Sequence, residues 1–171
     1  MRRTRDESWQ FLQSLGLAGD GAPPPLPTGV PSPFDSEGIS FFRTAVEEVD
    51  LSRLMLARSF FGRSLIKKVR FSGSDLSQSN LCWNDFEAVV FDDCDLSRAD
   101  LRASTFAGCS FRGANLRGAD LRNAELAGCD FTDADLTGAA VLARHRGQLT
   151  FSAAQAASVE WSRDYDEPAG G

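Results

Sequence analysis

The chain has 171 residues, and its 24 acidic and 18 basic side chains give a formal net charge of −6. This length predicts a single domain. The negative charge argues against direct binding of nucleic acid or of an anionic membrane surface. No stretch approaches the roughly 18 apolar residues of a membrane helix, and no apolar segment follows the charged start as in a secretory signal. We therefore expect a cytoplasmic protein.

Residues 1–38 are expected to form an N-terminal tail. Trp9, Leu12 and Leu15 have the spacing of a short amphipathic helix, which is marginal in isolation. Two alternatives remain open: a disordered tail, or a helix that docks on the body or on a partner. The following segment is interpreted as an extended linker, because proline cannot join a helix or a central strand. It holds six of the seven prolines: Pro23, Pro24, Pro25, Pro27, Pro31 and Pro33.

The central part of the chain repeats every five residues. Starting at Phe71, fifteen consecutive positions at this spacing carry a large apolar residue. The series is Phe71, Leu76, Leu81, Phe86, Phe91, Leu96, Leu101, Phe106, Phe111, Leu116, Leu121, Leu126, Phe131, Leu136 and Val141. We call this position i. At i−2, twelve of the fifteen residues are Ala, Ser or Cys, so a second position requires a small side chain.

A period of five fits neither a straight helix nor a continuous strand. On a helix the apolar residues would wander around the cylinder, and on a strand they would alternate between faces. The pattern is satisfied if the chain turns a corner once per pentad, so that i−2 and i both point inward. Four corners close a coil of about 20 residues, and steps of 20 place Phe71, Phe91, Phe111 and Phe131 in one column. Identical side chains can then stack between coils about 4.8 Å apart.

Four runs carry a resemblance to a known family. Ala-Asp-Leu-Arg-Ala (99–103), Ala-Asn-Leu-Arg-Gly (114–118), Ala-Asp-Leu-Arg-Asn (119–123) and Ala-Asp-Leu-Thr-Gly (134–138) resemble the A(D/N)LXX motif of pentapeptide repeat proteins. The resemblance covers residues 69–143. It implies an all-β fold, the right-handed quadrilateral β-helix, to which we add short helical caps.

The flanks of the repeat are expected to close its ends, because open strand edges promote aggregation. Residues 39–68 are predicted to form an N-terminal cap around Ile39–Phe42 and an irregular first coil, since Leu54, Met55 and Phe60 disturb the pattern. Residues 144–171 are predicted to form a C-terminal cap helix from about Ala153 to Trp161 and a disordered end. Ser152 and Gln155 match a capping box at the start of that helix.

The sequence offers no catalytic, cofactor-binding or metal-binding constellation, so we expect a protein that is not an enzyme and needs no cofactor. His145 is interpreted as an exposed loop residue. Cys94, Cys109 and Cys129 occupy the small inward position, where a thiol acts as a small hydrophobe. Cys109 and Cys129 should stack, but a disulfide between them is not expected in a reducing cytosol.

The candidate partner-binding residues lie at outward positions. The repeat holds 12 acidic and 6 basic residues and thus carries the whole charge of −6, with carboxylates in columns at i−1. Quinolone-resistance members of the pentapeptide repeat family are DNA mimics that bind type II topoisomerases. The resemblance therefore suggests the hypothesis that this chain is also a DNA mimic. The alternative is that these aspartates support turns. The candidate carboxylates are Asp75, Asp95, Asp100, Asp120 and Asp135.

Trp83 is the other candidate. It occupies a corner, where it either anchors an interface or packs beneath the N-terminal segment. The favoured prediction is a non-catalytic protein–protein interaction module that displays rigid outer faces to a protein partner of unknown identity. The alternatives are a DNA-mimicking modulator of a type II topoisomerase and an immunity or regulatory partner of a cytoplasmic protein. An end-to-end homodimer is a further hypothesis.

Overall fold

The chain winds into a four-sided, right-handed β-helix, as the family resemblance implied, and the helix has about 6 turns. The computed structural model describes residues 1–32 and 38–163. Each coil takes 20 residues, because the strands pair in parallel with segments 20 positions away; Phe41 pairs with Phe61, and Ile66 with Phe86. At about 4.8 Å per coil, six coils make a rod about 29 Å long.

The regular elements are short, since each side of a coil holds only a few extended residues before the next corner. One helix precedes the solenoid, α1 (Arg5–Ser14), and one lies near its end, α2 (Ala153–Ser158), with a single 3₁₀ turn at Ala143–His145. The strands are β1 (Ser40–Phe42), β2 (Ala45–Glu47), β3 (Phe60–Gly62), β4 (Leu65–Lys67), β5 (Asp85–Glu87), β6 (Thr105–Ala107), β7 (Ala140–Leu142) and β8 (Glu160–Ser162). The three sheets have the strand orders β1-β3, β2-β4-β5-β6 and β7-β8, and isolated bridges such as Asp95 to Asn115 continue the ladders elsewhere.

The interior is built from ladders of large apolar side chains, most of which stack on an identical residue. All fifteen residues at position i are buried, and none is more than 5% exposed. Phe91, Phe111 and Phe131 stack with ring centroids 5.0 Å apart and nearly parallel planes. A second stack pairs Phe86 with Phe106 at 4.8 Å, and the two columns meet edge to face. The Phe residues thus form a continuous aromatic spine, in which offset and edge-to-face contacts stabilise beyond area burial.

The small inward position has a second role that sequence reasoning did not identify. Ser64, Asn84 and Ser104 are buried one above another. The backbone N–H of Ser64 donates to Asn84 Oδ1 at 2.8 Å, and the N–H of Asn84 donates to Ser104 Oγ at 2.9 Å. These side chains satisfy corner amides that would otherwise be buried without a partner.

The first coil differs from our expectation of an irregular one. Residues 39–68 follow the same 20-residue register as the later coils, with β1 on β3 and β2 on β4. Met55 and Phe60 lie at the outward i−1 position and do not disturb the interior, while Ser59 occupies a small inward position. Leu54, Ile39 and Val49 are larger than the small-residue rule allows, and Leu54 is fully buried at the end of the solenoid.

The N-terminal end is closed by α1, and not by the Ile39–Phe42 segment as we expected. Leu12 of α1 is 0% exposed and belongs to the core of the solenoid. Ser8 Oγ accepts a hydrogen bond from the Met55 N–H at 2.8 Å, and the Arg3 N–H donates to the Arg53 carbonyl at 2.7 Å. The helix therefore occupies the place of a missing coil and pairs with the open strand edge.

The C-terminal end is covered by α2 and by the residues around it. The capping box of Ser152 and Gln155 is present, and Gln155 Nε2 also donates to the carbonyls of Phe131 and Ala134. The helix ends at Ser158, earlier than predicted, because the chain returns to the solenoid as β8 and pairs with β7. Residues 164–171, the predicted disordered end, lie outside the described residues, as does Pro33.

Candidate functional site

Trp83 lies at a corner of the third coil and points into solvent. Its side chain is 68% exposed, the largest exposure of any aromatic residue in residues 1–32 and 38–163. Arg43 and Arg63 occupy the same corner of the two preceding coils, because Phe42 pairs with Gly62 and Phe60 with Asn80. Of the two placements considered from the sequence, the structure has the exposed one.

Two further apolar side chains are exposed beside this corner. Phe42 is 49% exposed and Leu65 is 41% exposed. Phe42 carries the guanidinium of Arg43 over its ring at 5.1 Å. We refer to Phe42, Arg43, Arg63, Leu65 and Trp83 as the Trp83 corner.

The Trp83 corner is locally positive on a chain that is negative overall. Neither Arg43 nor Arg63 forms an ion pair within residues 1–32 and 38–163. Asp85 pairs with Leu65 across β4 and β5. Unpaired guanidinium groups next to exposed aromatic rings are typical of protein interfaces.

The backbone of Trp83 is left-handed, with a φ of 59°. A bulky residue seldom adopts this conformation, which costs roughly 1–2 kcal/mol relative to the right-handed region. Glycine relieves this strain at some corners, such as Gly113, but Arg43 and Arg63 adopt the same conformation as Trp83. The left-handed corner is therefore a recurring feature of this fold, and solvent exposure is what distinguishes Trp83.

Gly62 leaves room for an aromatic ring on the surface beside the Trp83 corner. The Phe60 ring lies over Gly62, where an added Cβ would come within 2.3 Å of Phe60 Cζ. Phe60 also stacks against Phe42, with ring centroids 6.0 Å apart. Phe60 is consequently only 6% exposed although it points outward. Gly62 thus lets an aromatic pair cover the outer face of β1 and β3, which supports the exposed ring of Phe42.

The candidate aspartates are stacked in columns, as their spacing indicates, but they are engaged within the chain. Asp75 and Asp95 each accept the N–H of the residue two positions later, from Ser77 at 2.9 Å and Ser97 at 3.0 Å. Asp135 accepts both the N–H and the hydroxyl of Thr137. Such bonds hold the corner in its turn conformation.

Asp100 and Asp120 are also paired with arginine. Arg102 donates to both oxygens of Asp100 at 2.9 and 2.7 Å, and Arg122 does the same to Asp120 at 2.9 and 2.6 Å. The side chains of Asp100 and Asp120 are only 14% and 25% exposed. The column therefore presents neutralised pairs, and its field is much weaker than the count of carboxylates indicates.

The turn-forming carboxylates make the stability of the protein sensitive to acid. Hydrogen bonds from the hydroxyl and the amide of Thr132, together with Arg112, lower the pKa of Asp130 to about 2. Bonds from Thr137 and Arg117 likewise lower the pKa of Asp135. Because the unfolded carboxyl has a pKa of about 3.9, this stabilisation is present above about pH 4 and is lost as the pH falls towards 2.

We expect urea unfolding midpoints to fall between about pH 4 and pH 2, and Asp130→Asn to flatten this dependence. The matched control is Asp133→Asn, because Asp133 accepts no hydrogen bond from the described residues. Identical pH profiles for the wild type and Asp130→Asn would contradict this assignment.

Two of the four cysteines are buried thiols inside the solenoid. All four cysteines are free. Burial raises the pKa of Cys94 to about 12, and a hydrogen bond with Cys129, together with burial, raises the pKa of Cys109, so these two thiols stay protonated at neutral pH. His145 is half-exposed and contacts Gln148. Residues 1–32 and 38–163 contain no cluster of three or more His, Cys, Asp or Glu side chains able to hold a metal ion.

With the fold defined as a solenoid of 20-residue coils, comparison with known proteins identifies its class. Residues 64–102 and 99–138 match the model of the pentapeptide repeats, with 8 copies. This part of the chain thus consists of pentapeptide repeats, as the sequence resemblance implied. No curated protein sequence matches the chain. No helix within the described residues is long and apolar enough to cross a membrane.

Solved structures similar to this chain include pentapeptide repeat proteins. A protein of the Arabidopsis thaliana thylakoid lumen is 24% identical, with a TM-score of 0.45, and the match covers 56% of this chain and 63% of that one. QnrB1, a plasmid-mediated fluoroquinolone resistance protein, is 16% identical, with a TM-score of 0.44 and coverage of 70% and 68%. HetL, involved in heterocyst differentiation regulation in Nostoc, is 24% identical, with a TM-score of 0.20 and coverage of 58% of both chains. The match thus spans less than two thirds of the Arabidopsis and Nostoc proteins.

Proposed function

We propose that this protein is a non-catalytic interaction module that binds a protein partner through the Trp83 corner. The observation that carries the proposal is a Trp side chain that is 68% exposed beside two further exposed apolar side chains, Phe42 and Leu65. Large aromatic side chains with nearby arginines dominate binding energy at protein interfaces. The rigid solenoid holds these side chains in fixed register, which limits the entropy lost on association.

The chemistry of the corner favours a partner segment that is apolar and acidic. Phe42, Leu65 and Trp83 offer apolar area, while Arg43 and Arg63 have guanidinium groups without an ion pair in the described chain. A carboxylate beside an apolar anchor would complement both. An immunity or regulatory role for a cytoplasmic protein is one form that such binding could take.

The quinolone-resistance-like alternative depends on the aspartate columns and receives less support from the contacts. A DNA mimic needs carboxylates that a cationic groove can reach, whereas Asp100 and Asp120 each bind an arginine through both oxygens. We therefore place the partner at the Trp83 corner and not along the columns.

The test compares Trp83→Gly with Asn123→Gly in quantitative affinity capture. Asn123 is the matched control, because it has the same corner conformation two coils further along and is exposed. Both changes should leave the free energy of unfolding the same or raise it by up to about 1 kcal/mol, since glycine relieves the strain. We expect Trp83→Gly to lose the captured partner at least tenfold and Asn123→Gly to retain it. Equal capture by both variants would remove the Trp83 corner from the interface.

A gyrase supercoiling assay with purified protein distinguishes the proposed function from the DNA-mimicry alternative. We expect no inhibition. Inhibition that persists in Trp83→Gly and disappears in a variant with Asp100→Asn and Asp120→Asn would favour DNA mimicry and overturn the proposal.

A further inference from the structure

A second surface lies in the proline-rich segment, which the sequence indicated only as a linker. Residues 22–28 read Ala-Pro-Pro-Pro-Leu-Pro-Thr. Each proline fixes its own φ near −65°, and each residue before a proline is restricted to extended conformations. Residues 23–27 accordingly form neither helix nor strand. These restrictions together impose a polyproline II helix, with three residues per turn and a rise of about 3.1 Å per residue.

One edge of this polyproline helix is fastened to the body of the protein. The Arg5 guanidinium donates to the carbonyl of Pro24, and Arg58 Nη1 donates to the carbonyl of Pro27 at 2.7 Å. Pro27 is buried against Gly38, where an added Cβ would lie 2.8 Å from Pro27 Cγ. Since Pro24 and Pro27 are three residues apart, they lie on the same edge of a three-residue helix.

The other two edges face solvent. Leu26 is 47% exposed, Pro25 and Thr28 are exposed, and Pro23 is half-exposed. The carbonyls of Pro25 and Leu26 accept no hydrogen bond from the described residues. The segment thus displays apolar ridges and free carbonyl acceptors while its third edge is held in place.

We propose that residues 23–27 are a docking ligand for a partner protein whose groove is lined with aromatic rings. Such grooves receive the ridges of a polyproline helix between their rings and donate hydrogen bonds to its free carbonyls. The restriction by proline and the two arginine anchors lower the entropy cost of binding. Residues 23–27 contact the solenoid at Arg58, and Pro31 beyond them accepts a hydrogen bond from Asn80 Nδ2, so the segment lies at a different corner from Trp83. The proposal is therefore independent of the proposed function.

The test titrates the full chain against a panel of purified SH3 and WW domains, which serve as probes of polyproline-binding grooves. We expect at least one domain to bind, and the double variant Pro25→Ala, Leu26→Ala to bind it at least tenfold more weakly. Thermal unfolding of this variant should match the wild type, because both side chains are exposed.

Val30→Ala is the matched control, because Val30 is 43% exposed in the same segment but lies outside the polyproline run. Val30→Ala should bind the domain with the affinity of the wild type, and so should Trp83→Gly. The proposal is overturned if no domain in the panel binds at 1 mM protein, a generous limit for such contacts. It is also overturned if the double variant binds as well as the wild type.

Discussion

Replacing Phe111 by aspartate is expected to unfold the solenoid. Phe111 is 0% exposed, and its ring is stacked between Phe91 and Phe131, with centroids 5.0 Å away on each side. Loss of the ring alone should cost about 3–5 kcal/mol, and a carboxylate without a partner in this apolar column adds several more. The sum approaches the 5–15 kcal/mol total stability of a typical domain. Far-UV circular dichroism and urea titration measure the loss.

Two control variants test whether the effect requires a charge at a buried position. Phe111→Leu keeps an apolar side chain and should cost only about 1–2 kcal/mol, since Leu126 already follows Phe106 in the neighbouring column. Phe42→Asp places the same charge on a ring that is 49% exposed, and should leave the fold intact. A soluble Phe111→Asp protein with an unchanged β spectrum and cooperative unfolding would show that the column is not essential to the stack.

The second large effect is expected at the N-terminal cap. Leu12→Asp should detach α1, because Leu12 is 0% exposed and inserts into the end of the core. Detachment would leave the Met55 N–H without Ser8 and the Arg53 carbonyl without Arg3, and it would expose an unpaired strand edge. Such edges recruit further strands. We therefore expect a lower melting temperature and self-association, measured by thermal unfolding and by light scattering coupled to size-exclusion chromatography.

Leu15→Asp is the matched control for the cap. Leu15 is the C-cap residue of the same helix and is 39% exposed, so a charge there should leave the monomer intact. If Leu12→Asp remains monomeric with an unchanged melting temperature, α1 does not protect the end. In that case the wild-type protein could form end-to-end dimers without first displacing α1.

The interior of the solenoid could be predicted from the sequence because its two inward positions recur with little variation. A five-residue period excludes ordinary helices and strands, so the corner geometry and the 20-residue register follow from the pattern. The regularity of residues 39–68 was missed because Met55 and Phe60 were counted against the pattern, although they occupy outward positions. Phe61 and Ile66 continue the five-residue series backward from Phe71, which indicates that the regular coils begin before residue 69.

The N-terminal segment could not be placed from the sequence, because its contacts follow no period. Leu12 meets the core through the tertiary position of α1, and Pro27 packs against Gly38. Nothing in the local pattern specifies either contact. The buried bonds of Ser64 and Asn84 were missed for a different reason: a small residue was interpreted only by its volume, and its hydrogen-bonding capacity was not considered.

The candidate surface was predictable in part. An aromatic residue at a corner is visible in the repeat, so Trp83 could be named, but its exposure depends on where the N-terminal segment runs. The aspartates could be named too, and their spacing predicts columns. Their pairing with Arg102 and Arg122 depends on how the side chains are oriented across a corner and between neighbouring coils. A count of charged residues does not give that orientation.

The 20-residue register also constrains how the length of this rod can change. Duplication or loss of one complete coil places Phe on Phe and Leu on Leu again, since each column repeats with that step. Gain or loss of a single pentad would instead shift every later residue by one side of the square and set unlike side chains on one another. Viable length variants should therefore differ by whole coils, each adding or removing about 4.8 Å. The distance between the Trp83 corner and the far cap is thus a quantity that evolution can adjust only in discrete steps.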